Sequence, residues 1–235
     1  MNKELLKRVI AAVDVPTFEE AKIVIDETRG RLEYVKIGMQ SFFGYGEQII
    51  PYARAQGFKI FLDLKLCDIP NTVSSAIKSL AKYGFDLLTV HVGGGEKMLR
   101  DATKTLKEIL PTSGIIGVTI LTSLSDDDVK SIGFRAGVRE AITDMVALAL
   151  DTGIYGIVCS ASDLGFVKTL VGNRLKIITP GIRLPGDPAL DQKRVESPLA
   201  AFESGADFIV VGRSLIEGDI KSNLDRLTQH LINRE

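Results

Sequence analysis

The stretch "FLDLKLCDIPNT" (residues 61–72) carries two carboxylates and a lysine through an otherwise apolar run. Nearly continuous apolar character over five to seven residues is how a strand buried on both faces reads. Asp63 and Lys65 stand two apart and therefore face the same way, and Asp68 follows three later. Buried charges are costly unless they are paired, so charges in this position call for a reason.

Seven further runs of the same kind lie on either side: "RVIAAVD" (8–14), "YVKIGM" (34–39), "LLTVHV" (87–92), "GIIGVTI" (114–120), "GIVCSA" (156–161), "KIITPGI" (176–182) and "FIVVGRS" (208–214). Segments of helical period separate them. Thr17 and Glu20 are spaced as a capping box. Val138, Ile142, Met145 and Ala149 lie along one stripe, as do Ile220, Leu224, Leu227 and Leu231. Glycine-containing breaks such as "AQGFK", "KYGFD" and "ESGADF" mark helix ends turning into strands. Alternating strands and helices predict a parallel sheet. Eight repeats in 235 residues match an α/β protein of the (β/α)8 TIM-barrel type, about 250 residues in size. A doubly wound open sheet is the rival; against it, the first turn, "AVDVPTF", lacks a glycine fingerprint. No linker or low-complexity stretch interrupts the pattern, so residues 1–235 are expected to form a single domain.

The composition excludes several functions. Net charge is −1, with acids and bases interspersed, so no nucleic-acid surface is expected. The two cysteines, Cys67 and Cys159, and the two histidines, His91 and His230, have no metal-ligand spacing. Neither a zinc site nor a disulfide scaffold is expected. The apolar part of "MNKELLKRVIAAVD" is too short for a signal peptide. No apolar run approaches the ~18 residues of a membrane span. A cytoplasmic setting without a membrane is the expectation.

In such barrels, chemistry gathers at the C-terminal strand ends. The polar residues there are Asp14, Lys36, Asp63, Lys65, His91, Thr119 and Thr122, then Arg183 after strand 7 and Arg213 at strand 8. Lys36 on strand 2 is within reach of Asp63 and Lys65. Alternating signs let each charge stay ionised beside opposite neighbours. A salt-bridge network that merely ties strands 2 and 3 together is the bland alternative. Asp14 reads either as a site residue or as a helix cap, although Thr17 already offers the cap. Gly212, Arg213 and Ser214 suit an anion held after the last strand. The Gly- and Pro-rich connection at 179–194, with Arg183, Gln192, Lys193 and Arg194, reads as a lid over a phosphate or as a surface insertion. His91 reads first as a hydrogen-bonded strand-end donor, with "GGG" after it as an alternative anion nest. Cys67 reads as packing.

Taken together, "FLDLKLCDIPNTV", "AAVD", "VKIG", "TVHVGGG", "VTILTS", "TPGIR", "DQKR" and "VVGRS" resemble, in order, the motifs of the orotidine 5′-monophosphate decarboxylases. The resemblance implies a homodimeric barrel that converts orotidine 5′-monophosphate to uridine 5′-monophosphate and CO2, the last step of de novo UMP synthesis, without cofactor or metal. By matching positions, Lys65 would donate a proton to C6, and Lys36, Asp63, Lys65 and Asp68 would form the alternating array. Asp68, Ile69 and Thr72 would reach the partner subunit's site. Asp14 and Lys36 would contact ribose and Thr122 would lie near the base. Arg183, Gln192, Gly212 and Arg213 would hold the phosphate end. Cys67, Val92 and Leu190 depart from the family's usual residues, and none belongs to the charged array.

Overall fold

The computed structural model describes residues 3–187 and 196–232. Among them, eight parallel strands close into a barrel in chain order. They are β1 (Val9–Val13), β2 (Tyr34–Ile37), β3 (Lys59–Leu66), β4 (Leu87–His91), β5 (Gly114–Val118), β6 (Gly156–Val158), β7 (Lys176–Ile182) and β8 (Phe208–Val211). β8 pairs back onto β1 through Val9 and Ile209. The TIM-barrel expectation therefore holds, and the open sheet is excluded because no strand is left at an edge.

The strands are shorter than the apolar runs at the rim. β6 ends at Val158, and the 3-10 turn Ala161–Asp163 follows. The Ser160 hydroxyl bonds the Asp163 carboxylate there, drawing the chain out of the sheet. β8 stops at Val211, so Arg213 and Ser214 open the short helix Arg213–Ile216 instead of continuing the strand.

The helices pack as their apolar periods dictate. The Thr17–Glu20 capping box forms at the start of the helix Phe18–Thr28. In the helix Val138–Thr152, Val138, Ile142 and Ala149 are buried, but Val146 fills the core where Met145 was expected. Met145 is only partly buried, because it lies about 100° round the helix from Val146. Gly153 ends this helix at φ 65°, ψ 30°, a left-handed conformation that a Cβ disfavours. Among the described residues, no helix is long and apolar enough to cross a membrane.

Strand alternation sorts side chains into two cores. Ile10, Phe61, Leu87, Ile116, Ile178 and Val210 fill the barrel lumen. Outward-facing neighbours such as Val9, Ala11, Val35, Ile37, Ile60 and Leu62 pack with the helices. Lys36 and Phe61 are register partners, and Asp63 lies two residues beyond Phe61 on the same face. The lumen is thus apolar below and charged at its C-terminal mouth. Burying its lower half in hydrocarbon removes water that would otherwise screen the charges above.

One irregularity places the charges. Leu62 pairs with Leu88 and Leu66 pairs with Val90, so four steps along β3 span two along β4. The bulge holds Asp63, Leu64 and Lys65. Lys65 has φ 50°, the one positive φ of a non-glycine among the described residues. Bulges re-aim side chains, and such strain persists only where surrounding structure enforces it.

Candidate active site

Lys36, Asp63 and Lys65 meet at the mouth. Lys36 Nζ lies 2.9 Å from Asp63 Oδ2, and Lys65 Nζ lies 2.8 Å from Asp63 Oδ1. The side chains of Lys36 and Asp63 are 13% and 14% exposed and that of Lys65 is 29% exposed, so one carboxylate shares two ammoniums away from bulk water. Burial pushes the Asp63 carboxyl up, but the charges of Lys36 and Lys65 and their hydrogen bonds outweigh it and hold it at about 2.

This sets an acid limit on stability. The folded-state value lies below the ordinary 3.8, so the native state binds this proton more weakly than the unfolded chain. The stabilisation is present above about pH 4 and is lost as pH falls through about 2. It amounts to on the order of 2 kcal/mol. Urea unfolding between these limits should show Asp63→Asn losing stability less steeply with falling pH than the native chain. Equal slopes would assign the acid loss to other carboxylates.

A cavity of about 220 Å³ stands over this cluster, lined by Lys36, Asp63, Lys65, Thr122, Pro180 and apolar residues of β5 to β8. The apolar wall suits a flat ring and the charged floor suits an anion beside it. Thr122 is exposed at its edge. Thr119 turns away from it: its buried hydroxyl donates to the Val158 carbonyl, 3.2 Å away, and ties β5 to β6.

Asp14 sits exposed at the end of β1 and accepts a hydrogen bond from the Ser41 amide at 3.2 Å. It does not cap the next helix, which Thr17 does; the amide it satisfies lies in the first turn of the helix Met39–Ala55. A Cβ on Gly38 would lie 2.3 to 2.6 Å from the Asp14 carboxylate. This close approach gives the glycine of "VKIG" its reason.

A second cavity, of about 230 Å³, is lined by Arg183, Asp187, Arg213, Ser214, Glu217, Asn223 and Arg226. Arg183 is 6% exposed. Its Nη1 stands 3.4 Å from Ser214 Oγ, and its Nε and Nη2 have no hydrogen-bond partner among the described residues. A buried guanidinium with unsatisfied donors is poised for an acceptor, and phosphate oxygens match its fork. Burial pushes Asp187 up, but hydrogen bonds from Arg226 and Ser214 outweigh it and keep the carboxyl below the usual range. Arg226 Nη2 also bonds the Pro185 carbonyl at 3.0 Å, fixing the root of the connection after β7. Gln192, Lys193, Arg194 and Leu190 lie outside the described residues, as do residues 188–194 of the expected lid as a whole; its first residues, 179–182, belong to β7.

Asp68 does not join the charged cluster of its own chain. It is exposed, and its carboxylate accepts from the Ile69 amide at 2.6 Å. Ile69, 67% exposed, and Thr72 share that surface at the head of the helix Pro70–Leu80. Two sequence-based expectations need correction. Cys67 is exposed and does not pack, because β3 ends at Leu66 and the turn lies outside the alternation that would bury it. The His91 side chain, half-buried, makes no hydrogen bond among the described residues; burial and then the Lys65 charge lower its pKa from the ordinary histidine value.

Sequence reasoning missed Thr89, Asp187 and Arg226. Thr89 shares the inward face of β4 with His91, so strand parity could have found it. Arg226 reads as surface charge on the C-terminal helix, and only the fold brings it to the cavity.

The profile of the orotidine 5′-phosphate decarboxylase / HUMPS family matches residues 7–222. The chain belongs to that family. It is 39% identical over 226 residues to the orotidine 5′-phosphate decarboxylase of Fusobacterium nucleatum, covering 96% of this chain and 95% of that one. It is 40% identical to the Buchnera aphidicola protein of the same name, over 91% of each chain. The crystal structure of the orotidine 5′-phosphate decarboxylase from Lactobacillus acidophilus superposes with a TM-score of 0.84 at 31% identity, covering 97% of this chain and 100% of that one. The orotidine 5′-phosphate decarboxylase / HUMPS match takes in every sequence-predicted site residue and stops short of Asn223 and Arg226.

Proposed function

We propose that this chain decarboxylates orotidine 5′-monophosphate to uridine 5′-monophosphate and CO2. The observation that carries the reading is the Lys36–Asp63–Lys65 cluster at the floor of a ring-sized cavity. The C6–carboxylate bond breaks, CO2 leaves, and the electron pair stays on C6 in an orbital the ring delocalises poorly. No cofactor supplies an electron sink in this reading, so the developing charge must be met electrostatically. The Lys65 ammonium meets it and transfers a proton from Nζ to C6. Lys36 completes the pairing of Asp63 and reaches the ribose, with Asp14 beside it. Both Asp63 oxygens are held by lysines, which supports an orienting role; with substrate bound, its charge would also oppose the departing carboxylate.

The phosphate belongs in the arginine-lined cavity, on Arg183 and Arg213, with Gln192 closing from the lid. Among the described residues, a Cβ on Gly212 would meet only Ala12 Cβ, at 3.7 Å. Packing therefore does not demand glycine there, and the close approach of a phosphate would. A homodimer fits Met39, Phe43 and Ile69, which are 44%, 77% and 67% exposed at the heads of the helices Met39–Ala55 and Pro70–Leu80. In it, Asp68, Ile69 and Thr72 enter the partner's site. The reaction is the last step of UMP synthesis, and the setting is the cytoplasm.

The rival reading on the same barrel is Mg²⁺-dependent enediolate chemistry on a sugar phosphate. Lys36 argues against it, because its ammonium occupies the Asp63 oxygen that a cation would need. Loss of orotate absorbance on adding orotidine 5′-monophosphate to the purified chain, undiminished by a chelator, is the expected result. No absorbance change would reject the reading, and a chelator-sensitive one would reject its cofactor independence.

A further inference from the structure

We infer that Thr89 is a positioning residue for the proton donor: its hydroxyl, held between the Lys65 amide and the Asp63 carboxylate, fixes where the Lys65 ammonium stands. The inference rests on the decarboxylase reading above and adds a residue to it.

The geometry allows one arrangement. Thr89 is fully buried on β4. The Lys65 backbone N–H donates to Thr89 Oγ1 at 2.8 Å, and Thr89 Oγ1 donates to Asp63 Oδ1 at 3.1 Å. An ionised carboxylate only accepts and an amide N–H only donates, so the hydroxyl's proton and lone pair are both assigned. Asp63 Oδ1 also accepts from Lys65 Nζ at 2.8 Å. The bonds close a ring that starts at the Lys65 amide, passes through Thr89 and Asp63, and returns to the Lys65 ammonium. The two ends of one residue are thereby referred to a single carboxylate oxygen.

The backbone explains why a side chain is needed. Between the Leu62–Leu88 and Leu66–Val90 pairs the β3–β4 ladder is interrupted, so the Lys65 amide finds no strand carbonyl. Lys65 also holds φ 50°, a conformation that costs free energy and needs enforcement. The Thr89 hydroxyl takes the place of the missing carbonyl. A donor misplaced by even about an ångström loses reaction rate rather than substrate binding.

Thr89→Val keeps the shape and removes the hydroxyl; Thr89→Ser keeps the hydroxyl. With orotidine 5′-monophosphate, the valine variant should lose about 10- to 50-fold in kcat while KM stays within about 3-fold. The serine variant should stay within about 2-fold of native kcat. Should valine prevent folding, Thr89→Ala carries the same expectation against serine. Hydrogen exchange at the Lys65 amide, followed by NMR without substrate, should speed up at least about 10-fold in the hydroxyl-less variant and not in serine. Unchanged kcat or unchanged exchange in the hydroxyl-less variant overturns the inference, as does a serine variant as slow as valine. A native chain with no turnover would sink the decarboxylase reading instead, and the exchange rates would still decide whether Thr89 holds Lys65.

Discussion

Lys65→Ala lowers kcat for orotidine 5′-monophosphate by on the order of 10³-fold or more. Two effects combine. The ammonium that offsets charge on C6 disappears, and so does the proton that ends the reaction. Neither is needed to bind the ground state, so the affinity for uridine 5′-monophosphate, measured by calorimetry, should change little. The fold should survive because Asp63 keeps Lys36 at 2.9 Å; removing the carboxylate would instead strand two buried cations, the costlier way to break such a cluster. A Lys65→Ala enzyme within about 10-fold of native kcat would assign the proton to another group.

Arg213→Ala should lower kcat/KM for the phosphorylated substrate by about 10²-fold, as expected for a charge-assisted contact worth about 3 kcal/mol. The same change should leave residual turnover of phosphate-free orotidine unaltered. The contrast matters because the phosphate lies away from the bond that breaks, and its binding energy can serve catalysis only by organising the site. Arg183, buried with two donors unmatched among the described residues, would stay behind to keep part of the grip in the proposed reading. Equal losses on both substrates would mean that Arg213 supports the barrel rim and does not hold phosphate.

The charged cluster was legible before the fold because parity is a short-range rule. Asp63 and Lys65 two residues apart are expected on one face of an extended strand, and Lys36 follows once β2 and β3 are neighbours; the bulge at Lys65 breaks that alternation, and the ion pair with Asp63 keeps the two together. Cys67 was expected to pack, but β3 ends one residue earlier and leaves it exposed in the turn. Met145 failed because apolar spacing along a helix leaves one position's freedom, and packing chose Val146.

What the amino-acid order determined unaided is the periodicity: where apolar runs repeat, how many there are, and which charges stand at their C-terminal ends. These depend on neighbours within a few residues, which backbone geometry ties together whatever the rest of the chain does. The tertiary structure alone decided the slip between β3 and β4, the strained φ of Lys65, the Thr89 hydroxyl between amide and carboxylate, and the arrival of Arg226 beside Asp187. Each depends on closing the barrel, because register between strands and contact between remote helices are set by packing across the whole sheet.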